Sequence, residues 1–284
     1  MPEAAPPPRY RPSVAIRASV ALHVGAAAAV LLRPQVWPWA LGAVVADQLL
    51  LTGAGLWPRS SLLGPNWTRL PEAFAPRACA AITIDDGPDP EVTPRVLDLL
   101  DAHGARATFF CIGERVLQHP GLAREITRRG HAVENHSQRH LLSFSLLGPS
   151  AMAAEISRAQ QAITATTGEA ACFFRAPAGL RNPFLEAVLE RAQLRLASWT
   201  RRGFDTRNGN ADDVLGRLTK NLASGDILLL HDGHAARTAA GAPVILTVLP
   251  RLLTALAAAG LKCVTLRAAL PPPAQGAPGT APAL

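Results

Sequence analysis

The stretch Thr83-Ile84-Asp85-Asp86-Gly87-Pro88 sets two adjacent carboxylates where a short apolar run meets turn residues. An apolar run stopped by Gly-Pro reads as a buried strand ending in a loop. Side chains alternate along a strand, so neighbouring acids leave its end in different directions. One can ligate a cation while the other stays free to move protons. The same residues also suit an ordinary Asp-Gly-Pro turn, and only matching parts elsewhere in the chain separate the two readings.

Such parts are present. His136 and His140 stand four residues apart, a spacing that on a helical turn offers both imidazoles to one cation. Two imidazoles and a carboxylate leave a position for water, the catalytic type of zinc site. Arg175-Ala176-Pro177-Ala178-Gly179 ends another apolar run. Its arginine can hold a carboxylate ionised and oriented through two hydrogen bonds, and its turn can aim backbone N–H groups at a site. The apolar run Ile227–Leu230 delivers His231, and Asp205, near the end of the segment Trp199–Thr206, is a candidate partner for it. A strand-end histidine oriented by a carboxylate is a general acid. Each piece alone has a plainer reading: solvated imidazoles, a surface loop, a structural histidine. His23, His103, His119, His131 and His234 lack such company and read as structural or solvated.

The elements that must position these groups are regular from residue 79 onward. Strand-like runs fall near 80–84, 107–112, 132–134, 171–174, 194–198, 226–230 and 262–266, and helical stretches alternate with them. Gly104, Gly130 and Gly260 follow the last turns of three helices, as stop signals do. This alternation predicts an α/β fold whose parallel sheet curls into a barrel. In such a barrel catalytic groups gather at the C-terminal strand ends, where all the polar residues above fall.

Residues 79–268 form this expected barrel. Residues 1–12 and 269–284 are Pro-rich and expected to be disordered, and 59–78 read as a linker rich in Pro, Gly and Ser. Between them, residues 13–58 hold two apolar stretches, each close to the ~20 residues of a membrane span. Trp37, Trp39 and Trp57 flank the second stretch as interfacial aromatics do. A membrane hairpin is expected, and a pair of core helices capping the barrel is the alternative. The location implied is the bacterial cytoplasmic membrane. Arg9, Arg11, Arg59 and Arg69 flank the hairpin and favour both termini inside, whereas a single span would turn the barrel outward.

A chain of 284 residues, 49% hydrophobic and 17% charged, can fill a sizeable core. The net charge of +7 is nearly all arginine, scattered with no basic run interleaved with aromatics, which argues against nucleic-acid binding. Cys79, Cys111, Cys172 and Cys263 show no CxxC spacing and read as thiols in a core. Nothing in the sequence specifies an oligomer.

TIDDGP, HSxxH, RxPxG, the Asp205 segment and ILLLH, in this order, resemble the polysaccharide deacetylases that share the NodB homology domain (carbohydrate esterase family four). The likeness spans roughly Cys79 to Leu266. It implies a distorted (β/α) barrel that removes N-acetyl, sometimes O-acetyl, groups from sugars with a divalent metal, commonly zinc, with cobalt, nickel or manganese as alternatives. It further implies Asp86, His136 and His140 as metal ligands, Asp85 as base, Arg175 orienting Asp85, His231 as general acid and Asp205 tuning it. Ala178, Leu229 and Trp199 would face the substrate. Two positions depart from the family pattern: an aromatic is replaced by Ala178 and a tryptophan by Thr206, which weakens the expectation of a long-chain groove. The expected activity is deacetylation of an amino-sugar glycan of cell-wall or exopolysaccharide type. The alternatives are a lipid-linked amino sugar at the membrane, or an inactive membrane-tethered glycan-binding protein.

Overall fold

The computed structural model describes residues 11–270; the expected terminal tails lie almost wholly outside them. Two long helices come first, α1 (Val14–Leu32) and α2 (Trp37–Leu56), packed against each other. Ser13 caps α1 by accepting the Ile16 N–H. Both helices are long and apolar enough to cross a membrane by length and composition. Their polar residues meet between them: the Ser19 hydroxyl donates to Asp47 Oδ2 at 2.6 Å, and His23 donates to the Ser19 carbonyl at 2.8 Å.

Strands and helices then alternate. The strands are β1 (Cys79–Asp85), β2 (Ala107–Cys111), β3 (Ala132–Asn135), β4 (Phe173–Phe174), β5 (Arg195–Leu196), β6 (Arg201–Arg202), β7 (Ile227–His231) and β8 (Lys262–Cys263). The helices among them are α3 (Thr93–Ala102), α4 (Gly113–Gln118), α5 (Pro120–Arg128), α6 (Pro149–Thr167), α7 (Leu185–Arg191), α8 (Ala211–Thr219) and α9 (Val244–Ala258). The sheet runs β5-β4-β3-β2-β1-β7-β6, every pair parallel, with β8 on the start of β1. It curls into a half-barrel. Trp67 pairs with Ala197, and the Leu70 N–H donates to the Gly225 carbonyl at 2.8 Å, so residues ahead of β1 join the sheet between its two ends.

Side-chain alternation sorts the sheet into two faces. Ala80, Ile82 and Ile84 of β1, Phe109 of β2, and Leu228 and Leu230 of β7 belong to the large core under the helices. Cys79 and Ala81, Phe110, Ile227 and Leu229 belong to a second core inside the curl. By the same alternation Thr83 and Asp85, and His231, fall on the inner face. The register sets Asp85 directly beside His231.

Two elements depart from expectation. Strand β6 is two arginines long and helix α4 opens on glycine, so neither shows an apolar run or a start signal. The His136–His140 segment is not helical: it is a loop after β3 in which Ser137 and His140 adopt positive φ (65° and 52°). The left-handed turns, rather than helical periodicity, bring the two rings together.

Candidate active site

Asp85 is the last residue of β1, and Asp86, just past it, has φ of 74° and turns its side chain away from the strand direction. Asp86 Oδ1 lies 3.3 Å from His136 Nε2 and 3.3 Å from His140 Nε2. His136 donates its other ring nitrogen to the Arg175 carbonyl at 2.8 Å, which fixes the tautomer and leaves Nε2 with a lone pair. Asp86 Oδ1 is buried and has no hydrogen-bond partner. A buried carboxylate oxygen without a donor, facing two imidazole lone pairs, is what a cation would satisfy. The three donor atoms all lie within 4.8 Å of one another, so the residues fit a divalent metal.

Asp85 serves a different partner. Arg175, 1% exposed, donates to Asp85 Oδ1 at 2.6 Å and to Thr83 Oγ1 at 2.8 Å. Its remaining nitrogens donate to the carbonyls of Ala197 at 3.1 Å and Ser198 at 2.7 Å, and the guanidinium lies 4.0 Å from the Phe110 ring centroid. All three nitrogens are thus engaged, which a fully buried guanidinium requires. The free Asp85 Oδ2 faces His136 at 3.8 Å.

Across the sheet, His231 donates from Nδ1 to Asp205 Oδ1 at 2.9 Å, and its backbone N–H donates to Asp205 Oδ2 at 2.7 Å. Burial pulls the imidazole pKa down; the Asp205 charge and hydrogen bond, with Asp85 and Asp86 behind them, outweigh it and hold it at about 9. A raised histidine pKa stabilises the fold fully below about 6.5, its ordinary value, and that contribution is lost as pH rises through about 9. In the cation-free protein the His231 ring nitrogens should therefore titrate near pH 9 by NMR. Asp205→Asn should bring the value down, burial then acting with less opposition. A wild-type titration near pH 6 would contradict this account of the pair.

The other carboxylate and imidazoles behave as ligand-type groups. Burial pushes the Asp86 carboxyl up, but the neighbouring imidazoles of His136, His234 and His231 outweigh it and hold the carboxyl well below the usual range. Burial and the neighbouring His136 push His140 down to about 4, against Asp86, so its lone pair is free at neutral pH.

A cavity of about 580 Å³ opens over these groups, lined by Ala178, Trp199, Leu229 and His231 among others. Ala178 holds a left-handed backbone (φ 54°) in the turn after Arg175. Every residue singled out from the sequence therefore borders this cavity or supports one that does. Three contributors were not foreseen. Thr83 shares the inner face with Asp85 and could have been found by the two-residue strand period. His234 approaches Asp86 Oδ2 at 3.3 Å and lines the cavity; it follows β7, the strand paired with β1, a neighbourhood that only the register reveals. Asp232, buried, accepts from the Thr93 hydroxyl at 2.5 Å and packs where a side chain at Gly87 would collide with it, which locks the loop after β1 to the end of β7.

Known proteins carry the same framework. The family model for polysaccharide deacetylase matches residues 74–197. The chain is 37% identical over 174 residues to a peptidoglycan-N-acetylglucosamine deacetylase of Bacillus cereus, covering 61% of this chain and 80% of that one. It is 32% identical to a longer Listeria monocytogenes peptidoglycan-N-acetylglucosamine deacetylase, of whose length it spans 41%. The family 4 carbohydrate esterase of Streptomyces lividans, solved with acetate, superposes with a TM-score of 0.59 at 33% identity, over 66% of this chain and 91% of that one. With its half-barrel, ordered motifs and these relatives, the chain belongs to the polysaccharide deacetylase family.

Proposed function

We propose that this protein is a membrane-anchored, metal-dependent hydrolase that removes the N-acetyl group of an amino-sugar glycan. The observation that carries the reading is the unpartnered, buried Asp86 Oδ1 held 3.3 Å from both His136 Nε2 and His140 Nε2. Those three residues would hold the divalent cation, and an N,N,O donor set suits zinc. Bound there, it supplies Lewis-acid polarisation of the acetyl carbonyl and acidifies water.

The chain's own groups do the rest. Asp85, aimed by Arg175, takes the proton from the water that attacks the carbonyl carbon. The turn at Ala178 supplies a backbone N–H toward the developing oxyanion; one such donor is worth ~3 kcal/mol. His231, protonated because Asp205 holds its pKa up, gives its proton to the departing nitrogen, without which the amide bond does not break at useful speed. Leu229 and Trp199 present apolar surface to the acetyl methyl and the sugar ring. The completeness of this set favours catalysis over glycan binding alone.

Acetate release from N-acetylated chito-oligosaccharides by the full chain tests the reading. It should stop with a chelator and return on adding zinc; activity that survives complete chelation would refute metal dependence.

Helices α1 and α2 serve as the anchor, since they are predominantly apolar over 19 and 20 residues and Ser19 and Asp47 pair between them. The full chain should stay with membranes through an alkaline carbonate wash and leave only with detergent. Release by carbonate alone would show that the hairpin lies on the barrel instead.

A further inference from the structure

The catalytic cavity does not end at Trp199. Trp199 and Arg202 also line a second cavity, of about 680 Å³, between the C-terminal end of α2 and β6. Gly53 and Trp57 of that cavity in turn line a third, of about 510 Å³, along α2. The three form one track: catalytic groups, then a middle chamber, then a groove on a helix apolar enough to enter a membrane. The end of α2 is fixed to the mouth of the barrel, since the Arg181 N–H donates to the Gly55 carbonyl at 3.1 Å and the Ser198 hydroxyl to the Pro58 carbonyl at 2.6 Å.

The middle chamber is cationic. Arg59, Arg201, Arg202, Arg217 and Lys220 line it, and no carboxylate does. Arg201 pairs with Asp226 at 2.6 Å, a carboxylate it shares with Arg69. The other four have no acidic partner within ion-pair distance among the described residues. Arg202 and Arg217 both stack on the one ring of Phe204, at 5.0 and 5.4 Å, and Arg202 Nε is buried without a hydrogen-bond partner. Like charges gathered on one aromatic repel each other, and a bound anion relieves that repulsion. The chamber is apolar on its other side, where Trp57 is 61% exposed and Leu56 lies beside it. Beyond Gly53, whose added Cβ would meet nothing within 4 Å, the third cavity is lined by Leu49, Leu50 and Leu62.

We propose that this track binds one amphipathic substrate: an N-acetylated amino sugar linked through a phosphate or diphosphate to a lipid. The sugar lies under Trp199, the phosphate among Arg59, Arg202 and Arg217, and the lipid along α2. The arginines match a phosphate in charge and geometry, and only a ligand with an apolar tail uses the groove beyond them. The proposal rests on the deacetylase reading of the catalytic cavity and names its substrate class.

The test compares acetate release by the full chain in mixed micelles from three compounds. These are polyprenyl-diphosphate-linked N-acetylglucosamine, water-soluble N-acetylglucosamine 1-phosphate, and a neutral N-acetylated chito-oligosaccharide. The lipid-linked compound should be used best, with kcat/KM at least about tenfold above the oligosaccharide, the scale of one charge-assisted hydrogen bond. Arg217→Gln and Arg59→Gln should each lower that ratio severalfold, mainly through KM. Gly53→Leu, which fills the passage along α2, should lower the ratio of lipid-linked compound to sugar phosphate. Equal use of the sugar phosphate and the lipid-linked compound overturns the lipid part of the proposal. A preference for the neutral oligosaccharide, or ratios unmoved by all three variants, overturns it whole. No acetate from any of the three overturns the deacetylase reading, and this inference with it.

Discussion

Asp85→Asn should reduce turnover by about a thousandfold or more while the protein still binds one cation. General-base catalysis contributes about 10² to 10⁴ in rate. An amide in the same place can still accept the Arg175 hydrogen bond but has no lone pair basic enough to take a proton. Asp85 Oδ1 is the acceptor from Arg175 at 2.6 Å, and Oδ2 is the oxygen free to act. The substitution also leaves a buried guanidinium without its counter-charge, a change that can cost several kcal/mol of stability. Thermal unfolding must therefore show that the variant is folded at the assay temperature, and kcat must be read on that folded fraction. Near-normal kcat with bound cation would remove Asp85 from the chemistry.

His136→Ala should abolish cation binding in practice, with affinity falling more than about a hundredfold, beyond what loss of an outer partner causes. The ring supplies one of three donor atoms and is held in place by the Arg175 carbonyl at 2.8 Å. His140→Ala should act alike. His234→Ala separates ligand from bystander: its ring lies 3.3 Å from Asp86 Oδ2, the oxygen turned away from the imidazole couple. It should change affinity by about tenfold at most, as outer partners do. Isothermal titration with zinc measures all three, and His234→Ala matching His136→Ala would redraw the donor set.

Much of this site was legible because parallel-sheet strands buried on both faces read as continuous apolar runs. Strands β1, β2 and β7 are of that kind, and β1 and β7 each end at a polar cluster. What stayed hidden depended on contacts that spacing does not encode. The pairing of Asp85 with His231 is a matter of register. The imidazole couple owes its geometry to two positive-φ residues, where the sequence suggested a helical turn. Strand β6 escaped notice because it is two arginines, and the same residue type hid the cationic chamber: each arginine reads as ordinary until Phe204 and α2 bring them together. Cys79 and Cys111 are buried free thiols, as apolar surroundings suggested, while Cys172 and Cys263 sit nearer the surface.

Anomalous diffraction at the zinc edge, from crystals of the full chain grown with zinc, probes the central claim most directly. One strong peak should appear in the catalytic cavity, bonded by Asp86, His136 Nε2 and His140 Nε2, with Asp85 and His231 close by but not bound. A peak held by other side chains, or none at those three, would contradict it.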